Sequence, residues 1–202
     1  IAHFILPLGD GHQIEKRQVT CPSVANINNY LDQVINNAKS EIPDPLSLPD
    51  KNDKVQLRNG KIEGLSTLYR SGDAKISCTG SAISLEVNLG ARRLRGGYDW
   101  KKKILFVKLR GRVSAKVRSF SVYGKITLKL APGAHPSIER FDITNFKRLT
   151  ASVTGLGPIG WTISAIVTLL GRIFKRAVAN ALERPIRKAL NKQLQKVNFP
   201  IP

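Results

Sequence analysis

The spacing of apolar residues divides the chain into a helical segment, a long alternating segment and a second helical segment. From Ser23 to Ile42, apolar residues recur at helical spacing with Asn and Asp between them, which predicts an amphipathic helix with one apolar stripe. Ser23 is a suitable N-cap for this helix, and Pro43 ends it. The stretch that follows, PDPLSLP, is predicted to be a linker because its prolines exclude a helix.

From Val55 to about Val153, apolar and polar side chains alternate, which is typical of half-buried antiparallel strands. The alternation predicts one long strand that spans Lys103 to Val117. Its change of phase predicts a bulge or turn near Arg118-Ser119. Turns are predicted at Gly72-Asp73, Gly96-Gly97 and Pro132-Gly133.

The last segment is helical again, from Ile159 to Leu194, and Pro185 is predicted to kink this helix without ending it. Its first part, Ile159–Leu170, is apolar on nearly all sides but is too short to span a bilayer, which requires about 20 residues. A helix of this kind is normally buried, and a curled sheet would bury it.

The predicted fold class is therefore α+β. A long curled antiparallel β-sheet wraps around a long, proline-kinked C-terminal helix, with an amphipathic helix at the N-terminal side. Residues 1–20 are predicted to form an extended arm, and residues 21–202 a single domain. Whether residues 1–17 are removed after the dibasic pair Lys16-Arg17 stays open.

Charge adds a partner to this picture, because the chain has 33 Lys and Arg against 14 Asp and Glu, a formal net charge of +19. That much like charge destabilises a compact fold unless a polyanion relieves it. The candidate partners are nucleic acid, an acidic membrane surface, lipid headgroups and sulfated glycan. A basic surface that serves only solubility is the alternative.

The basic residues concentrate on one face of the predicted sheet. In Ile104–Arg118 the odd positions are apolar and the even positions are mostly cationic. Like charges that face each other across strands are unfavourable, so their accumulation favours an anionic partner over a merely solvated face. The predicted residues for binding an anionic headgroup are Arg92, Arg93, Arg95, Lys101, Lys102, Lys103, Lys108, Arg110, Arg112, Lys116 and Arg118.

The apolar residues of the sheet and helices are by default core. Two elongated helices laid into one curled sheet nevertheless leave a groove between them, and grooves of this kind hold acyl chains. The candidate groove residues are Leu85, Val87, Leu105, Val107, Leu109, Val122, Trp161, Ile166, Leu170 and Phe174. The sequence leaves open whether such a groove is empty.

The remaining chemistry is sparse. Cys21 and Cys78 could form one disulfide in an oxidising compartment or stay two thiols in the cytosol. The scattered histidines predict no metal site, and no cofactor is predicted. No catalytic motif occurs, so the protein is predicted not to be an enzyme. The glycine-rich stretch 155–160 superficially resembles a dinucleotide loop but lacks a βαβ unit.

Four short motifs, in this order after the first helix, resemble the mite group 7 allergens and their arthropod relatives. The motifs are Asp44-Pro45-Leu46-Ser47-Leu48-Pro49-Asp50, Leu57-Arg58-Asn59, Gly64-Leu65 and Gly72-Asp73-Ala74. That family is similar to one half of bactericidal/permeability-increasing protein and lipopolysaccharide-binding protein. The resemblance implies a helix-wrapped curled sheet, an apolar groove for lipid-like ligands, and secretion.

Two departures limit that inference, because the mite proteins are not strongly basic and lack this cysteine pair. The first hypothesis is a secreted cationic protein that binds anionic amphiphiles, such as lipopolysaccharide, lipid A or acidic phospholipids, with an antibacterial role in innate immunity. Its partners would be lipid and an anionic membrane surface, with nucleic acid only as a non-specific polyanion. The second hypothesis is a cationic binder of sulfated glycan or nucleic acid without a lipid ligand. The oligomeric state stays open.

Overall fold

The longest elements are a pair of neighbouring strands and the helix near the C-terminus. A computed structural model of the chain describes residues 21–104, 106–156 and 163–200. The predicted arm, residues 1–20, lies outside them. The described elements are α1 (Val24–Lys39), β1 (Leu46–Leu48), β2 (Lys51–Asn52), β3 (Gln56–Glu63), a 3₁₀ turn (Leu65–Thr67), β4 (Tyr69–Arg70), β5 (Lys75–Cys78), β6 (Ala82–Ile104), β7 (Val107–Lys129), β8 (Ser137–Val153) and α2 (Ile163–Lys196).

Helix α1 begins where its sequence predicts. The side chain of Ser23 caps it by accepting a hydrogen bond from the backbone N–H of Asn26 at 3.2 Å. The helix ends at Lys39, ahead of Pro43. Its apolar stripe is buried against the rest of the molecule through Ile27, Tyr30, Leu31, Val34, Ile35 and Ala38.

The strands form one antiparallel sheet that is curled and not closed, with the order β1-β3-β6-β7-β8. Strand β2 pairs with β3, and β4 and β5 pair with β6. Strands β6 and β7 are paired along their whole length, from Ala82 opposite Lys129 to Ile104 opposite Val107. The predicted α+β fold class, with its curled sheet and two helices, is confirmed.

Two predicted boundaries within the sheet are wrong. The hairpin between β6 and β7 turns between Ile104 and Val107, inside the strand predicted from Lys103 to Val117. The four residues at this turn are all apolar, so the usual turn residues gave no signal. Conversely, Gly96-Gly97 lies within β6, where a Cβ on Gly97 would stand 2.6 Å from the carbonyl oxygen of Val113. This glycine permits a close approach of two strands, not a turn.

The other two predicted turns are confirmed, because Gly72-Asp73 separates β4 from β5 and Pro132-Gly133 separates β7 from β8. Helix α2 also continues through Pro185, as predicted. It packs beside α1, where the hydroxyl of Tyr30 donates a hydrogen bond to the carbonyl of Leu194 at 3.2 Å. The two helices together cover the inner face of the sheet.

Candidate anion-binding face and hairpin end

The alternation along β7 separates an apolar inner face from a basic outer face. Leu109, Val113, Ala115 and Val117 are buried, and the residues between them are exposed or half-buried. Among the predicted headgroup residues, all but one are exposed: Arg92, Arg93, Arg95, Lys101, Lys103, Lys108, Arg110, Arg112, Lys116 and Arg118. The structure therefore presents these cations to solvent together.

Lys102 is the exception. It is half-buried and lies opposite Leu109, which belongs to the inner face. Trp100, two positions earlier on the same strand, is also buried, and side chains two apart in a strand share a face. Lys102 thus lies on the inner side of the sheet, apart from the basic outer face.

The end of the β6–β7 hairpin combines cations with exposed apolar side chains. We define the hairpin end as Lys101, Lys103, Phe106, Val107, Lys108 and Arg110. The side chain of Phe106 is 95% exposed and that of Val107 is 47% exposed. Lys103 lies directly opposite Lys108, and Lys101 opposite Arg110. Sequence reasoning missed Phe106, although its signal was an aromatic residue in the middle of a run of cations.

The next cross-strand pair on the outer face, toward the middle of the strands, has opposite charges, since Asp99 and Arg112 form an ion pair at 3.2 Å. Arg112 is therefore partly neutralised. Within the described residues, no other predicted headgroup cation takes part in a salt bridge. The basic outer face thus keeps most of its charge uncompensated.

A second basic cluster crosses the middle of the sheet. Three neighbouring strands each carry two consecutive residues that are not buried, at the place where the alternation changes phase. These pairs are Arg92-Arg93 on β6, Arg118-Ser119 on β7 and Lys147-Arg148 on β8. The predicted irregularity at Arg118-Ser119 is thus one part of a line that runs across three strands. We call this line the crease.

The register across the crease is the same on both sides. The flanking pairs are Arg92 with Ser119, Leu94 with Val117, Ser119 with Lys147, and Val117 with Leu149. Arg93 therefore lies opposite Arg118, and Arg118 lies opposite Arg148. We call these three residues the arginine row. Sequence reasoning missed Arg148, whose only signal is the doublet Lys147-Arg148 within an alternating segment.

The arginine row lines an open cleft of about 310 Å³. Its other lining residues are Leu94, Arg95, Lys116, Val117 and Thr150. Beside it, the guanidinium of Arg92 lies 4.7 Å from the ring centroid of Tyr69, a cation–π contact that holds this side chain in place. The cleft is therefore lined mainly by cationic side chains.

The predicted groove residues are distributed differently. Leu85, Val87, Leu109, Val122 and Leu170 are buried in the core, whereas Val107 is exposed at the hairpin end. Leu105, Trp161 and the side chains of Ile166 and Phe174 lie outside the described residues. Their predicted role toward a ligand stays a prediction.

An apolar cavity of about 20 Å³ lies between both helices and the sheet, and among the described residues of the predicted groove only Val87 lines it. Leu31 and Val34 of α1, Leu190 and Leu194 of α2, and Val87 of β6 are among its lining residues. A cavity of this volume holds about one water molecule. An acyl chain could enter at this place only if the helices moved away from the sheet.

Two further classes of site find no support in the part of the chain that the structure describes. There, no group of three or more His, Cys, Asp or Glu residues is placed to hold a metal ion. No helix among the same residues is long and apolar enough to cross a membrane.

The sequence profile of the group 7 allergen family matches residues 26–194. The chain belongs to the group 7 allergen family. Mite allergen Lep d 7 of Lepidoglyphus destructor is 26% identical over 148 residues, which cover 71% of this chain and 66% of that relative. Mite allergen Der p 7 of Dermatophagoides pteronyssinus is 21% identical over 188 residues, which cover 85% of this chain and 86% of the allergen. The predicted family resemblance is confirmed.

The fold of this group 7 allergen family member is similar to that in the crystal structure of lipopolysaccharide binding protein. The TM-score is 0.52 at 17% sequence identity, and the match covers 88% of this chain but 40% of the larger protein. At that identity the similarity shows a shared fold. The chain thus corresponds to less than half of the larger protein.

Proposed function

We propose that this protein is a secreted, non-enzymatic lipid-binding protein that recognises anionic amphiphiles such as lipid A or acidic phospholipids. The observation that carries the proposal is the hairpin end, where the exposed ring of Phe106 stands among cations without acidic partners. An anionic amphiphile is complementary to this surface, because its charged headgroup can pair with the cations and its apolar chain can contact Phe106. A purely electrostatic partner would leave Phe106 in water.

Headgroup recognition would use charge-assisted hydrogen bonds from Lys101, Lys103, Lys108 and Arg110 to phosphate oxygens. The cross-strand repulsion between these residues is relieved when an anion lies between them. Phe106 and Val107 would enter the acyl boundary of the lipid layer, which stabilises the complex in proportion to the apolar area removed from water.

A complete acyl chain would be held between the helices and the sheet. The small cavity there is lined by apolar residues alone, so an entering chain meets no buried charge. Because that cavity is about 20 Å³, the chain would have to push α1 and α2 away from the sheet. Capture of lipopolysaccharide in this way would give the protein an antibacterial role in innate immunity.

Three further features support the proposed secretion and the proposed ligand class. Cys21 and Cys78 are disulfide-bonded, and such bonds persist in oxidising compartments. A protein of the same fold is named for binding lipopolysaccharide. The net charge of +19 favours the phosphorylated members of that ligand class.

The test is co-sedimentation with phosphatidylcholine vesicles that contain phosphatidylglycerol, at increasing salt concentration. Lys108→Glu/Arg110→Glu should weaken binding about tenfold or more, since each basic residue near an anionic surface contributes about 1 kcal/mol. Phe106→Ser should remove the part of the binding that resists salt. Because Phe106 is exposed, this change should leave the unfolding temperature unchanged.

The matched control is Lys129→Glu/Lys188→Glu, which makes the same charge change on exposed residues away from the hairpin end. Equal losses in both double variants would contradict the role of the hairpin end. Binding to heparin with no affinity for vesicles, and no lipid co-purified in native mass spectrometry, would favour the glycan-binding alternative over lipid binding.

A further inference from the structure

We infer that the arginine row, Arg93, Arg118 and Arg148, is a distinct binding site for a dianionic phosphomonoester group. The group would come from a lipid headgroup or from a soluble phosphate ester. Only the lipid as a source of the phosphate rests on the proposed function. The arginines and their geometry do not depend on the hairpin end.

Three arginines from three strands converge in one line. They lie opposite one another on β6, β7 and β8, and all three line the same cleft of about 310 Å³. Adjacent strands are about 4.8 Å apart, so the outer two arginines start about 10 Å from each other. Long guanidinium side chains close that distance easily around one small ligand.

The arginine row is maintained at a cost in conformational and electrostatic free energy. Arg93 has a φ of 57° and Arg148 a φ of 50°, in the left-handed region where glycine or asparagine is the favourable choice. Like charges also face each other directly across the strands. Residues with strained backbone persist where the surrounding structure enforces the conformation, and they cluster at active sites and ligand-binding sites.

No acidic side chain among the described residues competes with a ligand for the arginine row. Within the described residues, none of the three arginines forms a salt bridge. Arg95 and Lys116 stand in the same cleft and add to its positive potential. A phosphate ion or ester that enters the cleft therefore meets unoccupied donors on several sides.

The ligand class follows from the shape of the donors. Each guanidinium is a planar fork that binds two oxygens at once. A phosphomonoester offers three terminal oxygens and nearly two negative charges, whereas a phosphodiester offers two oxygens and one charge. Three converging forks thus match the monoester better. Lysine carries the same charge but cannot make a bidentate hydrogen bond. Replacement of arginine by lysine therefore separates the effect of hydrogen-bond geometry from the effect of charge.

The experiment compares vesicles that contain phosphatidic acid, a monoester, with vesicles that contain phosphatidylglycerol, a diester, at matched surface charge. The full chain should prefer phosphatidic acid. Arg118→Gln/Arg148→Gln should lower affinity for phosphatidic acid about tenfold or more, as expected for lost hydrogen bonds to a charged group. Arg118→Lys/Arg148→Lys should lose the preference while it retains binding to phosphatidylglycerol.

The matched control is Lys129→Gln/Lys188→Gln, which removes two charges elsewhere and should lower binding to both lipids slightly and equally. If the glutamine variant of the arginine row behaves like this control, the inference is overturned. Unfolding temperatures of all variants establish that they fold, as expected for exposed residues.

Calorimetric titration of the protein with glycerol 3-phosphate distinguishes a soluble phosphate ester from a lipid headgroup as the source of the phosphate. Binding that disappears in the glutamine variant means that a soluble ester is sufficient. Preference for phosphatidic acid without binding of glycerol 3-phosphate means that a lipid headgroup is required.

The same measurements separate failure of this site from failure of the proposed function. If the ester binds through the arginine row but no anionic vesicle binds, the proposed function fails and this site stands. If vesicles bind through the hairpin end alone, the site fails and the proposed function stands.

Discussion

At the residue scale, Asp44 explains why two of the family motifs occur together. Its carboxylate accepts hydrogen bonds from the backbone N–H of Gly64 at 2.8 Å and of Ser66 at 2.9 Å. It thereby caps the 3₁₀ turn Leu65–Thr67, which in turn lies against β6 through Thr67 and Arg92. Burial would raise the pKa of Asp44, but the hydrogen bonds from Ser66 and Gly64 outweigh that effect and lower the pKa.

Replacement of Asp44 by asparagine should lower the free energy of unfolding by about 1 kcal/mol at pH 7, because an amide has one acceptor oxygen and no charge and so loses one of the two charge-assisted hydrogen bonds. Because the folded-state pKa is depressed, the stabilisation is present above the unfolded-state pKa of about 3.9 and is lost as pH falls through the folded-state value. Urea unfolding at a series of pH values measures the difference. Asp53→Asn, at an exposed carboxylate, is the control, and a difference that persists unchanged in acid would contradict the prediction.

At the scale of elements, the position of α1 on the sheet depends on a disulfide cross-link just before its first turn. The disulfide between Cys21 and Cys78 joins the residues just before α1 to the end of β5. Asn28 adds a hydrogen bond from its side-chain amide to Asp73 at 2.9 Å and accepts one from the backbone of Ala74 at 3.1 Å. These contacts fix the helix that lines one side of the apolar cavity.

Replacement of both cysteines by serine should lower the free energy of unfolding by about 4 kcal/mol, the loop-closure value for a sequence separation of 57 residues. Chemical denaturation with and without reductant measures it. Reductant should lower the stability of the natural protein to that of the variant and should leave the variant unchanged. An unfolding midpoint that is equal for the natural protein and the variant, each with and without reductant, would refute the stabilising role of the disulfide.

At the scale of the whole molecule, the outer face of the curled sheet carries a dense cluster of positive charge, and α2 carries eight further Lys and Arg residues. The hairpin end and the arginine row both belong to that cluster, and within the described residues no salt bridge involves a cation of either one. Self-repulsion of this kind opposes the compact state. The same charge attracts anionic surfaces over about a Debye length, which is about 10 Å at 0.1 M salt.

Screening should therefore stabilise the protein. Addition of sodium chloride from low to physiological concentration should raise the unfolding temperature by about 2–4 °C, which corresponds to about 1 kcal/mol for a chain of this size. Differential scanning calorimetry measures the shift. Arg118→Gln/Arg148→Gln should show a smaller shift, and an unfolding temperature that falls with salt would contradict the explanation.

Much of this architecture could be predicted from local patterns. The apolar stripe and the N-cap at Ser23 placed α1, and strict alternation placed the two faces of β7. The hairpin turn was missed because its residues carry no turn chemistry. Gly97 was misassigned because a glycine that permits a close approach of strands has the same sequence signal as one in a turn.

The sequence by itself determined the periodicities, the excess of cations and the order of motifs, because each of these is a property of neighbouring residues. Only the tertiary structure decided which cations meet. The arginine row unites residues from β6, β7 and β8, and the register between strands sets their alignment. The same register places Phe106 beside the cations of the hairpin end, and packing of α1 and α2 against the sheet leaves a cavity of about 20 Å³ between them. Such relations depend on contacts between segments far apart in the chain, which no local pattern contains.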